Sequence, residues 1–268
     1  MDACLKSIQG SGVDIVVVHD GPCTDQTLDI ARRYTQNVHV YEPAACNNDL
    51  LIPFALDQAL GEWVLQLDAD ERISEALNQH LSEMIADPSV DAYALYFPFH
   101  DPETGSLTVS VKKYKKVLFR KERMYKVGVP HAQSGTYGRE VRSEYPLEHH
   151  EVTSLNPWNM FRLIMKKNVL RSRVTADLLC GSLEDIAVFN CSMADRHLSI
   201  VRKLTFQREH PLAALFLMPV YSFFHIYIRQ GRWRWGGIGL VDSMNVPLFH
   251  ARTCLCILRR RWGDRHGE

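Results

Sequence analysis

Trp63 to Glu71 reads WVLQLDADE, an uninterrupted apolar run that ends in two carboxylates one residue apart. An apolar run of this length is the pattern of a strand covered on both faces, as in a parallel sheet. Asp68 and Asp70 fall at its carboxyl end. Side chains at i and i+2 of an extended chain point the same way, so both carboxylates can face one ligand, at the edge where open α/β sheets bind ligands. Oxygen-rich sites of this kind favour Mg²⁺ or Mn²⁺, which take one or two protein carboxylates and complete their shell with phosphate oxygens and water. The stretch therefore suits a divalent cation holding a diphosphate. A D-x-D is short, and the same two acids could simply cap the next helix, so the surrounding chain has to decide.

Upstream, residues 3–9 read as the last turns of an amphipathic helix with Leu5 and Ile8 on one face, ended by Gly10 to Gly12. VDIVVVHDG follows as a second buried strand over Val13–Val18, and it too terminates in an acid, Asp20. Asp25 can cap a helix over Gln26–Tyr34, Val38–Tyr41 reads as a short strand, and Pro53 can open a helix over Phe54–Leu60 that Gly61 ends. Downstream, Ser74 caps a helix carrying Leu77, Leu81, Met84 and Ile85, which Pro88 stops. Such alternation of strand and helix predicts an α/β fold, a mainly parallel sheet with helices on both faces. Asp20 and Asp68, each ending a strand, then share the crevice beyond the carboxyl ends. From Asp91 the segments AYALYF, LTVSV and KVLFR suit antiparallel strands, and YKVGVPHAQ and YPLEHHEV after them carry histidines. Asn156 and Pro157 open a long amphipathic helix with Trp158, Phe161, Met165 and Val169 on one face.

The 268 residues carry no net charge, so no global field points to nucleic acid as a partner. Charge is uneven, however: from Arg229 onward there are eight arginines against Asp242, Asp264 and Glu268. Seven cysteines without paired spacing suit reduced thiols in a cytoplasmic compartment, and Met1 leads directly into DACLKSI without a signal-peptide pattern. Neither GxGxxG nor GxxxxGKS occurs, which disfavours dinucleotide-binding dehydrogenases and P-loop enzymes.

DIVVVHDGPCTDQTLDIARRY, FALDQALGEWVLQLDADE, GVPHAQ and PLEHH, in that order, resemble family 2 glycosyltransferases of the GT-A type. The resemblance covers roughly residues 3–150 and extends, through YIRQGRWRWGGIGLVD, to bacterial lipopolysaccharide and cell-surface glycan transferases. It implies transfer of a sugar from a nucleoside diphosphate sugar to an acceptor hydroxyl, with inversion at the anomeric carbon. It also implies that Asp20 touches the nucleoside, Asp68 the ribose or the metal through water, and Asp70 the metal directly, with His149 or His150 completing a site for Mg²⁺ or Mn²⁺. The acceptor hydroxyl must lose a proton, and His131, Glu148 and Glu151 are the candidate bases. Where related sequences often place an acid after the histidine matching His131, this chain has Ala132 and Gln133. The family also has one more strand before the helix at residues 3–9, and a basic residue near Cys46 to Leu51 that is not found here.

The expected organisation is a GT-A catalytic domain over 1–150, a helical extension over 151–205 and an amphipathic, membrane-associated region over 206–268. Leu212–Ile228 is strongly apolar but short for a span, and it contains Pro219 and His225, with Arg229, Arg232 and Arg234 behind it. It reads as a helix lying in a membrane interface, with a buried core helix as the alternative. That placement suits a glycan or lipid-linked acceptor, and a catalytic domain on the cytoplasmic face, where nucleotide sugars are. Two rival readings remain at this stage: a sugar nucleotidyltransferase, and an inactive truncated relative.

Overall fold

The structure is a computed structural model of the chain, and it describes residues 1–42, 48–100, 107–108, 113–150 and 157–266. The elements in chain order begin with α1 (Asp2–Ser7), β1 (Val17–Asp20), α2 (Thr27–Ala31), β2 (Val38–Tyr41), α3 (Asn48–Gln58), β3 (Trp63–Leu65), β4 (Glu71–Ile73) and α4 (Glu75–Ala86). Seven further strands follow among the described residues: β5 (Ala92–Tyr96), β6 (Phe99–His100), β7 (Leu107–Thr108), β8 (Tyr114–Arg120), β9 (Met124–Val127), β10 (Gly135–Thr136) and β11 (Glu140–His149). The rest is α5 (Pro157–Cys180), β12 (Val188–Phe189), α6 (Ser199–Glu209), α7 (Pro211–Phe224) and α8 (Gly236–His266).

The chain divides into two compact units. The first comprises Met1–Gly128, Gln133–Val152 and Ala187–Cys191, and the second comprises Val129–Ala132, Thr153–Ile186 and Ser192–Glu268. The first unit is α/β with a mixed set of strands. β1 pairs with β2 in parallel, Val17 opposite Val38 and Asp20 opposite Tyr41. The larger sheet runs β3-β8-β5-β11-β6-β7, with β4 joined to β11. In it β11 is parallel to β5 and β6, while β3–β8, β5–β8 and β4–β11 are antiparallel. Its core gathers Leu5, Val17, Leu77, Leu95, Val117 and Leu147, whereas Val13 and Ile85, expected inside, are exposed.

Local chemistry accounts for the element ends. Ser74 Oγ accepts the Leu77 N–H at 3.1 Å and opens α4. Asp25 Oδ1 accepts the Thr27 N–H at 2.8 Å at the head of α2. β1 starts four residues later than the apolar run VDIVVV, at Val17, where β2 becomes available to pair. Pro53 lies inside α3 rather than at its start. The helix begins upstream at Asn48, and Asp49 in its first turn pairs with Lys126 Nζ at 2.8 Å on β9. That tertiary contact outweighs the local preference for a proline at the first helical position.

The second unit is helical. α5 buries Ile164, Asn168, Ser172, Thr175, Ala176 and Leu179, whereas Trp158 is 65% exposed. The buried stripe is thus partly polar. Ser172 donates to the Asn168 carbonyl of its own helix, Thr175 Oγ1 to the Arg171 carbonyl at 2.9 Å, and Ser243 and Thr253 on α8 do the same with Gly239 and Phe249. Hydroxyls satisfied within their own helix can be buried without loss.

Candidate active site

After β3 the chain leaves the ladder. Gln66 N–H still donates to the Val117 carbonyl at 2.8 Å, but Asp68 to Glu71 form a turn closed by Glu71 N–H on the Asp68 carbonyl at 2.9 Å. Glu71 Oε2 returns the bond by accepting the Asp68 N–H at 3.0 Å. The two aspartates therefore sit on a turn, not on an extended strand, and they are offered to different partners.

Asp68 Oδ2 accepts from Lys115 Nζ at 2.9 Å, and the same ammonium binds the Glu71 carboxylate, which is fully buried. Burial pushes the Glu71 carboxyl up from its ordinary value, opposed by Lys115. Burial would pull Lys115 down, but Glu71 and Asp68 outweigh it and raise its pKa, so the ammonium keeps its charge. Asp70 Oδ2 instead lies 3.3 Å from His149 Nε2. That hydrogen bond holds the Asp70 carboxyl below its ordinary range, burial opposing it.

These groups meet because β4 and β11 pair antiparallel, Ile73 opposite Leu147, Arg72 opposite Glu148 and Glu71 opposite His149. One step beyond, His150 N–H donates to the Asp70 carbonyl at 2.8 Å. The ladder carries the histidines of PLEHH to the acids of DADE. Successive strand residues point to opposite faces, so Glu148 turns away from the side on which His149 meets Asp70; its Oε2 lies 3.0 Å from His150 Nε2. The His149 ring packs 5.1 Å from the Phe97 ring, and Lys113 Nζ and Lys115 Nζ each stand 5.4 Å from the Phe97 ring centroid.

Asp20 ends β1, and Gly21 after it takes a φ of +74° and donates its N–H to the Tyr41 carbonyl at 2.9 Å, turning the chain at the carboxyl end of the parallel pair. His131 belongs to the second unit. It adopts a φ of +64°, uncommon for a residue with a Cβ, and its ring centroid is 4.5 Å from that of Phe249. His131 Nε2 lies 3.4 Å from Asn168 Oδ1, and Asn168 Nδ2 donates to the Asn245 carbonyl at 3.0 Å. Glu151 lies outside the described residues, as do residues 46 and 47, whereas 48–51 open α3.

The site thus joins Asp70 to His149, Asp68 to Lys115, and Glu148 to His150. Sequence reading missed Lys115 and the closing role of Glu71. The available signal was the spacing of Lys113 and Lys115 at i and i+2 just before a buried VLF run, which puts both ammonium groups on one face.

Two donors bound cis to one octahedral cation at about 2.1 Å stand about 3 Å apart, close to the 3.3 Å between Asp70 Oδ2 and His149 Nε2. Among the described residues no group of three or more His, Cys, Asp and Glu side chains gathers. The pair therefore fits Mg²⁺ or Mn²⁺ held through few protein ligands, with diphosphate oxygens filling the shell, and does not form an all-protein cage.

A family model described as Glycosyl transferase family 2 matches residues 1–145. Among solved structures the chain is similar to Staphylococcus aureus TarS 1-349 in complex with UDP, at 16% identity and a TM-score of 0.41, covering 99% of this chain and 87% of that one. The same protein in complex with UDP-GlcNAc matches at 17% identity and a TM-score of 0.36, again covering 99% of this chain and 87% of that one. No curated protein matches the chain.

Proposed function

We propose that this chain, which belongs to glycosyl transferase family 2, moves a sugar from a nucleoside diphosphate sugar to an acceptor hydroxyl with inversion at the anomeric carbon. The acceptor is a glycan or a lipid-linked glycan in cell-surface polysaccharide or lipopolysaccharide synthesis. The protein works at the cytoplasmic face of a membrane, in peripheral contact with it. The observation that carries the reading is the Asp70–His149 pair, set by the β4–β11 ladder beside Asp68 and Lys115.

Asp70 and His149 would hold the Mg²⁺ or Mn²⁺. When bound, that cation offsets the negative charge that gathers on the diphosphate as the glycosidic bond breaks. The chain's own groups prepare the site. Because its pKa is depressed, Asp70 is ionised at neutral pH and available as a ligand. Lys115 fixes the Asp68 carboxylate, which would meet a ribose hydroxyl or a metal-bound water, and Asp20 would meet the nucleoside from the end of β1. Inversion requires the acceptor oxygen to bond to the anomeric carbon as the bond to the diphosphate breaks, and the hydroxyl proton passes to a base on this chain. Glu148, coupled to His150, and His131, beside Asn168, are the candidate bases.

The test is release of nucleoside diphosphate from a panel of nucleotide sugars with Mn²⁺ or Mg²⁺. Asp70→Asn and His149→Ala are expected to lower the cation-dependent rate about a hundred-fold or more. Undiminished turnover in both variants, or nucleotide binding indifferent to Asp70→Ala, would remove the assignment.

A further inference from the structure

α7 and the π-helical turn after it, over Pro211–Arg229, are long and apolar enough to cross a membrane by length and composition, and little of this stretch is buried. Its inward stripe, Pro211, Ala214, Met218 and Ser222, is covered. Its outward face is also apolar: Phe216 is 66% exposed, Phe224 59% and Ile228 54%, and Leu212, Leu217 and Val220 are exposed beside them. From Pro211 to Ile228 there is no Asp, Glu, Lys or Arg. A surface helix bathed in water carries charge on that side, and a contiguous exposed apolar face marks a place where another phase or molecule docks.

Exposed basic residues flank the stripe in the sequence, Arg202 and Lys203 on α6 before it, Arg229 and Arg234 behind it, with Trp233 51% exposed between the last two. Amphipathic aromatic rings and cations at the margin of an apolar face are the pattern of a headgroup boundary.

α8 decides how such a face meets lipid. It runs antiparallel to α7: Cys254 packs with Ala214 and Met218, and Arg232, just past the π-helical turn, pairs with Asp242 near the head of α8. Were α7 to cross a bilayer, it would carry Asn245 and Arg252 of α8 into hydrocarbon with it, which costs several kcal/mol. A helix lying flat leaves α8 on the water side.

We infer that the outward face of α7 is a docking surface for an anionic lipid bilayer, on which the helix lies in the plane of the interface with Phe216, Phe224 and Ile228 in the acyl boundary and Arg229 and Arg234 on headgroup phosphates. This rests on the membrane contact proposed above and names its surface, its orientation and its lipid class. Co-sedimentation of the full chain with phosphatidylcholine vesicles, with and without about a third phosphatidylglycerol, tests it. Binding should rise with the anionic lipid and fall with added salt. Phe216→Ser and Phe224→Ser should each weaken partitioning about ten-fold, and Arg229→Gln and Arg234→Gln about five-fold each. Those arginines are exposed, so their variants keep the test sound even if a core-adjacent change disturbs folding. Indifference to all four changes, dimerisation without lipid that Phe216→Ser abolishes, or resistance to extraction by alkaline carbonate would each overturn the inference. Vesicle binding is read without turnover. A protein that binds vesicles but releases no nucleoside diphosphate sinks the transfer reading alone, and one that transfers sugar while ignoring vesicles sinks this inference alone.

Discussion

Lys115 is the residue on which the acidic turn depends. It is the counter-charge for both Asp68 and the fully buried Glu71. Removing it leaves Glu71 charged and buried without that partner, so Lys115→Met should destabilise the protein by about 2–3 kcal/mol. The figure stays below that for a wholly buried pair because 30% of the Lys115 side chain is in solvent. Adding Glu71→Gln should recover part of the loss, since the amide can still meet the Asp68 N–H. Denaturant titration of the two single variants and the double variant measures the coupling. Strict additivity would mean that the pair contributes nothing. Neither residue announced its role in the sequence. Glu71 reads there as one more acid after DAD, and Lys115 as one of a run of surface lysines, because the contact between them spans residues 44 positions apart.

At the scale of elements, α8 brings a half-buried histidine against α6 of the second unit. Burial pulls the His250 pKa down from 6.5 to about 4, helped by the charges of His131 and Lys203, and Gln207 Nε2 donates to its Nδ1 at 3.2 Å. The depressed value means that the unfolded chain binds this proton more readily. The stabilisation is full above pH 6.5 and is lost as pH falls from there towards about 4. The thermal midpoint should decline over that window, and His250→Gln should flatten the decline. An identical profile in the variant would put the acid sensitivity elsewhere. Elements themselves were unevenly legible. The cap at Ser74 and the parallel pairing of β1 with β2 follow from local pattern, whereas the cap of α2 falls on Gln26 and not on Asp25, whose Oδ1 still accepts the Thr27 N–H. The antiparallel partnership of β3 with β8 does not, because an apolar strand records that it is covered and not by what. In α5 the apolar residues Trp158 and Phe161 suggested the inner face, yet Asn168, Ser172 and Thr175 are buried there beside Ile164, Ala176 and Leu179. Periodicity cannot see hydroxyls that satisfy themselves on their own helix, nor an asparagine reserved for Asn245.

For the whole molecule, neither compact unit is a continuous piece of chain. Residues 129–132 belong to the helical unit, and 187–191 return to the α/β unit. There β12 pairs with β9, Val188 opposite Val127, and Phe189 joins the cluster of Leu56, Ala92, Phe119 and Met124. A chain ended at residue 150 should therefore lose a strand and a core aromatic, at a cost of about 3–5 kcal/mol. A mixture of fragments 1–150 and 151–268 should regain part of that loss. A 1–150 fragment with undiminished cooperative unfolding would show that β12 is dispensable.

The backbone bond from His150 to the Asp70 carbonyl, with the β4–β11 pairing behind it, has an evolutionary corollary. The choice of the side chain opposite Asp70 is written in ladder alignment as much as in composition. Losing a single amino acid between Ile73 and Leu147 in a way that slid one strand along the other by a step would deliver Glu148 where the imidazole now stands. A nitrogen donor would become an anionic oxygen, the cradle would gain a unit of negative charge, and its preference would drift away from ions that accept nitrogen, such as Mn²⁺, toward oxygen-seeking Mg²⁺ and Ca²⁺. Relatives could exchange ion selectivity through insertions and deletions, leaving every ligating residue in place on paper.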